Sequence, residues 1–292
     1  MTLLQDGRNI TRGDYRPFDF HIHSDMSDGT DSPFDIVRIA ADSGVEIISL
    51  TDHDNISGLS EARRAGKELN VTVINGVEID TQFDCELHIL GLGFDSENSA
   101  LAKMLKNAEE ARNYRNRLII ERLEKAGMPV SQYITEKENA TITRLNIAKA
   151  IIACGKAEKF SEAFEKYLAK GKAGYVFVER TDKRSAIETI HEAGGIAVLA
   201  HPCKLKCDYR ALIHTLADYG LDALEVYYPT ADDGQIYEFL SLAKQYSLLV
   251  SSGSDYHGQN RKNTHIGCAY RAEECLNDFA RMVIEKQSRC FV

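Results

Sequence analysis

The feature that most constrains this chain is a repeated alternation of short apolar segments with amphipathic helical segments. The apolar segments have the length and side-chain composition of strands. They comprise residues 18–23, 45–51, 71–74, 87–93, 196–200, 221–226 and 248–253. Repeated units of this kind predict an α/β fold around a parallel sheet, either open or closed as a barrel.

Length and composition are those of an ordinary globular protein. With 292 residues, 43% hydrophobic and 27% charged, the chain is long enough for one large domain or for one domain with an insertion. Residues 1–17 lack the apolar core of a secretory signal, and no apolar stretch approaches the roughly 18 residues of a membrane span. We therefore expect a cytoplasmic protein with seven reduced cysteines, no membrane contact and no obligate protein partner.

An insertion interrupts the alternation. Residues 98–183 have an almost entirely helical pattern, with apolar residues in helical spacing and charged residues between them. Within it, residues 103–172 hold 15 lysines and arginines against nine glutamates and no aspartate, although the whole chain has a net charge of −9. We predict a basic helical cap over the loop face of a barrel that is itself formed by residues 18–97 and 184–292.

Histidines and acids recur where the predicted strands end. His21 and His23 are two residues apart on a strand, so both rings emerge on one face and are able to meet one ion. Such a pair alone is equally typical of core histidines. Further histidines and acids lie in the short motifs SDG (27–29), TDHD (51–54), GVE (76–78), HILG (88–91), AHP (200–202) and SDYH (254–257). One face of a barrel would bring them together.

These residue types indicate metal binding. Imidazole and carboxylate ligands without a cysteine quartet suit zinc, manganese or iron, and this many ligands exceed the four that one tetrahedral zinc uses. More than one divalent ion is therefore implied, and manganese is favoured over zinc, iron or magnesium. Asp52 and Asp54 flank His53, and they are either partners that set its tautomer or simple turn acids.

Taken together and in this order, the motifs resemble those of the polymerase and histidinol phosphatase family, the PHP domain. The likeness runs from about Phe18 to His257, which is most of the chain. It implies a distorted seven-stranded β/α barrel with a trinuclear metal centre. The ligands that it implies are His21, His23, Glu78 and Asp255 for a first metal, Glu78, His88 and His201 for a second, and Asp28, His53 and His257 for a third.

Within that family, the insertion is similar to that of the nucleotide-directed branch, the 3',5'-nucleoside bisphosphate phosphatases and related exoribonucleases. TRLN (143–146) and YLAKGKAGYV (167–176) carry this likeness, although relatives commonly have Ser-Arg-Thr-His in the first motif. The resemblance implies removal of the 3'-phosphate of nucleoside 3',5'-bisphosphates, with 5'-to-3' trimming of short RNA as a related activity. The substrate-binding residues that it implies are Thr143, Arg144, Asn146 and Lys172.

The expected chemistry needs no protein nucleophile. Paired divalent metals lower the pKa of a water and neutralise the charge that develops on phosphate oxygens. Arg144 would hold the phosphate by a bidentate fork, and the candidate catalytic residues are Arg144, His201 and His257. A metal-dependent amidohydrolase, a histidinol phosphate phosphatase and a metal-stabilised module that binds nucleic acid are the alternatives.

Overall fold

The computed structural model describes residues 16–135 and 137–290 with their side chains, together with two short strands nearer the start of the chain. Residues 1–17, where the sequence predicts no secretory signal, therefore lie mostly outside the described part. No helix of the described residues is both long and apolar enough to cross a bilayer. All seven cysteines are free.

Strands and helices alternate through most of the chain. The strands are β1 (Thr2–Leu3), β2 (Asn9–Ile10), β3 (Phe18–Ile22), β4 (Ile47–Leu50), β5 (Thr72–Gln82), β6 (Leu87–Leu92), β7 (Thr181–Asp182), β8 (Ile196–Leu199), β9 (Ala223–Tyr227) and β10 (Leu249–Ser252). The helices are α1 (Pro33–Asp42), α2 (Leu59–Leu69), α3 (Ser99–Lys125), α4 (Arg144–Ala153), α5 (Phe160–Ala163), α6 (Lys183–Glu192), α7 (Tyr209–Asp218), α8 (Asp233–Gln245) and α9 (Glu274–Arg289).

Seven strands form one curled sheet in the order β10, β9, β8, β6, β5, β4, β3, and the two-residue β7 pairs with the end of β5. Apolar side chains of the strands and of the flanking helices share one core, in which Phe20, Ile36 and Phe279 are fully buried. The predicted α/β fold with a distorted seven-stranded barrel is confirmed.

β6 runs against both of its neighbours, β5 and β8, whereas the sequence predicts a parallel sheet. Only residues 83–86 connect β5 to β6. A parallel return needs a crossover of about a dozen residues or more. A link of this length therefore forms an antiparallel hairpin. The reversal brings His88, near the start of β6, to the edge where the neighbouring parallel strands end.

The two outer strands of the sheet meet through a few contacts. Ile22 at the end of β3 forms a parallel bridge with Tyr256, which follows β10. The N–H of Asp255 donates to the carbonyl of His21 at 2.8 Å, and the N–H of His23 donates to the carbonyl of Tyr256 at 2.9 Å. The barrel therefore closes at the same place where the two histidines of β3 and the acid after β10 lie.

The buried carboxylate of Asp19 reinforces this closure. It accepts the backbone N–H groups of His21 at 3.2 Å, Ser254 at 2.9 Å and Gly267 at 2.8 Å. One side chain of β3 thus satisfies backbone donors of the segments that follow β10, which would otherwise be buried without partners.

The inserted segment contains a second group of buried apolar side chains. The second half of α3 and α4 supply Leu123, Ile147 and Ile151 to it. The first half of α3 packs into the barrel core instead, through Leu101 and Leu105. α3 therefore connects the two cores, and the boundary of a separate cap at residues 98–183 stays a prediction.

We expect Asp19→Ala to lower the free energy of unfolding by about 3 kcal/mol or more, because it leaves several buried N–H groups unsatisfied at about 1–3 kcal/mol each. Chemical denaturation measures the change. Asp42→Ala is the matched control, because this carboxylate is exposed in a surface ion pair with Arg38, and it should change stability by less than about 0.5 kcal/mol. Equal effects of the two substitutions would contradict the role of Asp19 in closure.

Candidate metal centre

Nine imidazole and carboxylate side chains converge at one edge of the sheet. They come from β3, β5 and β6 and from the segments that follow β3, β4, β8 and β10. Eight of them are buried, and the ninth, His53, has a side chain that is 13% exposed. The nine are His21, His23, Asp28, His53, Glu78, His88, His201, Asp255 and His257. The structure thus brings together every ligand that the sequence predicts.

The carboxylate of Glu78 is the centre of this cluster. Five histidines surround its two oxygens, and no other acid of the cluster has so many imidazole neighbours. Oε1 lies 2.8 Å from Nδ1 of His88, 3.0 Å from Nε2 of His201 and 3.4 Å from Nε2 of His21, and Oε2 lies 3.1 Å from both Nε2 of His23 and Nδ1 of His53. A carboxylate in this position is able to bridge two ions.

Four overlapping sets of ligand atoms are close enough to share an ion. Within each set all the ligand atoms lie within 4.8 Å of one another. The sets are His21, His23 and Asp255; His21, Glu78 and His201; His53, Glu78 and His88; and His23, Asp28, His53 and His257. These sets are candidate metal-binding clusters, and the number of ions and the assignment of each ligand to one ion stay predictions.

Unpartnered polar atoms provide a test of whether the residues suit a metal. Nε2 of His21, Nε2 of His23, Nδ1 of His53 and Nδ1 of His201 are buried, and among the described residues none of them has a hydrogen-bond partner. Buried ring nitrogens normally have partners, because an unsatisfied polar group is costly. A bound cation would satisfy the lone pair of each such nitrogen when that nitrogen carries no proton.

The acids of the cluster are held in their charged form. Burial alone would raise the pKa of Asp28, Glu78 and Asp255. The neighbouring histidines, and Arg261 in the case of Asp255, outweigh burial and hold each pKa well below its usual range. Anionic oxygens are therefore available to a cation at neutral pH.

The histidines fall into two electrostatic groups. Burial lowers the pKa of His53 to about 3 and that of His201 to about 4. Burial also disfavours the charged ring of His23, but the nearby carboxylates of Asp255 and Glu78 outweigh it and raise the pKa to about 9. His53 and His201 are thus neutral at pH 7, whereas His23 must lose a proton before it binds a metal.

Glu225, at the carboxyl end of β9, is a functional residue that the sequence analysis missed. Its carboxylate accepts a hydrogen bond from Nδ1 of His21 at 2.9 Å and from the backbone N–H of His201 at 2.6 Å. The first bond leaves Nε2 of His21 free to face the cluster. Its position at the end of a strand was the one feature of the sequence that could have identified it as a candidate site residue, but it lies outside the recognised motifs.

A second missed group fixes the orientation of Asp255. Its Oδ2 accepts hydrogen bonds from Tyr228 at 2.7 Å, from Lys204 at 3.5 Å and from Arg261. Its Oδ1 faces the ligands instead, at 3.4 Å from Nε2 of His23. One oxygen is therefore occupied by neighbouring donors and the other is presented to the cluster.

Asp52 and Asp54 do not hydrogen-bond to His53. Asp52 accepts hydrogen bonds from the N–H and hydroxyl of Ser24 at 2.9 and 2.6 Å. Asp54 forms an ion pair with Arg112 of α3 and accepts the N–H of Asp80 at 3.1 Å. The hypothesis that they set the tautomer of His53 is therefore wrong. Both carboxylates stabilise the surrounding loops through these hydrogen bonds and this ion pair.

The backbone is in an unusual conformation at two ligand positions. His201 has φ of 32° and Asp255 has φ of 53°, in the left-handed region that non-glycine residues rarely adopt. Strain of this kind persists where the surrounding structure enforces it, as it does at many functional sites. Here it turns each side chain inward directly after its strand.

A cavity of about 320 Å³ opens onto the metal cluster, and we call it the metal cavity. Six of the nine candidate ligands line it on the barrel side, together with Lys204 and Arg261. From the inserted segment, it is lined by Arg112, Thr143, Arg144, Leu145, Phe160 and Phe164. The metal ligands and one part of the basic insertion thus share one space.

Thr143 and Arg144 link the insertion to the metal cluster. The hydroxyl of Thr143 donates to Oδ2 of Asp28 at 3.2 Å and accepts the N–H of Leu145 at 3.1 Å, so it caps α4. Arg144 is the first residue of α4, where its guanidinium lies 3.5 Å from Glu86 and above the ring of Phe164. Capping of α4 therefore positions the arginine at the wall of the metal cavity.

Asn146 and Lys172 lie differently. Oδ1 of Asn146 accepts the N–H of Thr143 at 2.7 Å and completes the capping box of α4, so its contact is structural. Lys172 is exposed in a turn and does not belong to the residues that line the metal cavity. The roles of these two residues in substrate binding stay predictions.

Comparison with known proteins shows a family match over nearly the whole chain. The PHP domain model matches residues 19–286. The chain is 38% identical over 252 residues to a 5'-3' exoribonuclease of Haemophilus influenzae, and the alignment covers 83% of this chain and 90% of that protein. It is 31% identical over 258 residues to a 3',5'-nucleoside bisphosphate phosphatase of Chromobacterium violaceum, and this alignment covers 85% of this chain and 90% of that protein.

A solved structure shares the same fold. It is described as an amidohydrolase from Chromobacterium violaceum with bound sulfate and no metal. It superposes with a TM-score of 0.83 at 29% sequence identity, over 92% of this chain and 96% of that chain.

Metal binding is expected to release protons at pH 7. His23, whose pKa is about 9, is protonated in the metal-free protein and must become neutral to act as a ligand. The apparent affinity for Mn²⁺ should therefore increase as the pH rises toward about 9. Calorimetric titration in two buffers of different ionisation enthalpy measures the protons released, and identical heats in both buffers would contradict this expectation.

We expect Glu225→Gln to lower metal affinity by about 10–100-fold, which is the usual effect of removing a partner of a ligand. Glutamine has a single acceptor oxygen, so it is unable to accept from both Nδ1 of His21 and the N–H of His201, and one of these donors would face its NH₂ group. Metal content after dialysis against a chelator series measures the effect. Glu188→Gln, at an exposed carboxylate on α6, is the control, and equal metal retention by both variants would rule out this role.

Proposed function

Since this chain belongs to the PHP domain family of metal-dependent phosphoesterases, we propose that it removes the 3'-phosphate from nucleoside 3',5'-bisphosphates. The bisphosphate phosphatase of Chromobacterium violaceum is a relative over 85% of the chain. The metal cavity, at about 320 Å³, lies at the small end of the usual range of about 300–1,000 Å³ for ligand pockets. A single nucleotide suits that space better than a folded or long substrate.

The main support for this assignment is Arg144, because it lines the metal cavity together with candidate metal ligands. A guanidinium binds phosphate through two parallel N–H groups, which fixes the orientation of the group as well as its charge. Lys204 and Arg261 line the same cavity and add positive charge beside Asp255. An anionic group held between these cations lies directly against the candidate metal ligands.

The ligand set suits a centre of two to three divalent ions, and manganese is the ion that we favour. Such ions, when bound, would supply a water that is activated near neutral pH and would offset negative charge on the phosphate oxygens. The chain itself contributes the orientation of the phosphate through Arg144 and the exclusion of bulk water by the inserted segment.

His201 and His257 are neutral near pH 7 in this arrangement, since burial lowers the pKa of both rings. Nδ1 of His257 donates to the carbonyl of Asp255 at 2.8 Å, so Nε2 carries the lone pair and faces Asp28 at 3.2 Å. Neutral rings of this kind are suited to be ligands rather than proton donors. We therefore assign the protonation of the leaving oxygen to solvent in the cavity.

Two aromatic rings are available for the nucleoside. Phe160 and Phe164 line the metal cavity from the inserted segment. Stacking of a base on an aromatic ring contributes about 1–3 kcal/mol and depends little on base identity. The proposed enzyme would therefore accept several nucleobases with similar efficiency.

Trimming of short RNA from its 5' end is the second candidate function. It is favoured by the 38% identity with the Haemophilus influenzae exoribonuclease. An amidohydrolase, as the neighbouring solved structure is described, and a histidinol phosphate phosphatase remain the other candidates. Neither gives a reason for the arginine of α4 and the two phenylalanines that line the same cavity.

The deciding experiment measures phosphate release by the manganese-loaded protein from adenosine 3',5'-bisphosphate, AMP, histidinol phosphate and a 5'-phosphorylated oligoribonucleotide. We expect release chiefly from the bisphosphate, and its loss in His23→Ala. Shortening of the oligoribonucleotide with greater efficiency would favour the exoribonuclease. Inactivity on all four substrates with metal confirmed bound would reject the proposed function.

Arg144→Met should lower kcat/KM for the bisphosphate by about 10–100-fold, because a charge-assisted contact with phosphate is lost. Arg144→Lys should retain part of the activity, since it keeps the charge but not the fork. Lys156→Met, at an exposed cation shortly after α4, is the matched control and should behave as the unsubstituted protein. A change of less than about twofold in Arg144→Met would exclude a phosphate contact by this residue.

A further inference from the structure

Arg115 of α3 is a buried cation without a matching anion. Only 3% of the surface of Arg115 is exposed. Among the described residues, its guanidinium hydrogen-bonds only to the side-chain oxygen of Asn116, at 3.2 and 3.4 Å, and no carboxylate lies within ion-pair distance. The neighbouring Arg112, by contrast, pairs with Asp54 and Asp80.

Burial of an unpaired charge is costly, and buried cations are normally paired with carboxylates or with bound anions. The cationic neighbours of Arg115 increase the cost. Burial, together with Arg112, lowers the pKa of Arg115 to about 9. A side chain in this state is expected to gain most from an anionic ligand.

Arg115 faces a second cavity, of about 270 Å³, which we call the arginine cavity. This space adjoins the metal cavity, because Glu86 and Arg144 line both of them. Besides Arg115 and Arg144, its cationic side chains come from the last part of the inserted segment, and its acids come from the loop between β5 and β6. The charged residues that line it are Asp84, Glu86, Arg115, Arg144, Lys170 and Arg180.

We propose that the arginine cavity binds the second phosphate of the substrate, the one that is not hydrolysed, through Arg115 and Arg180, with Arg144 placed between the two phosphates. This inference rests on the function proposed above and specifies the substrate class as one with two phosphate groups. Arg180 lies 2.9 Å from Asp80 and Arg144 lies 3.5 Å from Glu86, so each already has a carboxylate. Arg115 is the cation that lacks one.

A purely structural role for Arg115 accounts less well for its surroundings. Asn116 does not need Arg115 to keep its position, because its Nδ2 donates a hydrogen bond to the backbone carbonyl of Ile142 at 2.7 Å. An apolar side chain of similar length would fill the same volume without a charge to compensate. The guanidinium is therefore retained at a cost to stability, as is common for groups that serve binding.

The first test compares two substrates that carry the same scissile group. Adenosine 3',5'-bisphosphate has the second phosphate, and adenosine 3'-monophosphate lacks it. We expect Arg115→Met to lower kcat/KM for the bisphosphate by about 10–100-fold and to change that for the monophosphate by less than about threefold. Arg117→Met, at an exposed arginine on the same helix, should leave both values unchanged. An equal loss on both substrates would overturn the proposal.

The second test does not depend on activity. Thermal unfolding of the metal-loaded protein is followed with and without inorganic phosphate. We expect Arg115→Met to have a Tm at or above that of the unsubstituted protein without phosphate, and a smaller increase when phosphate is added. A lower Tm with an unchanged response to phosphate would show a structural arginine and would overturn the proposal.

The two tests separate this inference from the proposed function. If the unsubstituted protein hydrolyses neither nucleotide, the proposed function fails, and the phosphate response of Arg115→Met still decides whether the arginine cavity binds an anion. If the protein hydrolyses both nucleotides equally well and Arg115→Met responds to phosphate as the unsubstituted protein does, the function stands and this inference fails.

Discussion

The buried carboxylate of Glu78 is the interaction on which the rest of the site depends. Five histidines from four other parts of the chain approach its two oxygens, and their ring nitrogens lie 2.8–3.4 Å away. In a site from which water is excluded, this negative charge is one of the few groups that keep so many imidazoles together. The curled sheet makes the arrangement possible, because it brings the ends of its strands to one edge.

The reversed strand β6 extends this arrangement toward the insertion. Because β5 and β6 form a hairpin, His88 lies opposite Asp80 in register, and Asp80 pairs with Arg180 at 2.9 Å. Arg112 of α3 pairs in turn with Asp54. Part of the positive charge of the insertion therefore neutralises acids beside the metal cluster, whereas Arg115 in the arginine cavity has no such ion pair among the described residues.

Several features of the site cost stability. His201 and Asp255 have left-handed backbone conformations. Within the described part of the chain, four buried ring nitrogens lack hydrogen-bond partners and Arg115 is buried without a counter-charge. In a structure built only for stability such features would be replaced, since each is more costly than an apolar alternative. Their concentration in two adjoining cavities, together with the closure of the barrel by Asp19 nearby, indicates a rigid framework that holds a strained binding site.

The sequence by itself determined the fold class and the nine candidate ligands, because strand periodicity and strand-end position are local properties that can be read from neighbouring residues. It did not reveal the direction of β6, although the four-residue link to β5 required it. Tertiary structure decided the roles of Glu225, Tyr228 and Arg261, which lie outside any motif and touch the cluster only after folding. It also decided that Asn146 caps a helix, that Lys172 lies away from the metal cavity and that Arg115 has no counter-charge. Each of these depends on contacts between distant parts of the chain, which no local pattern of residues records.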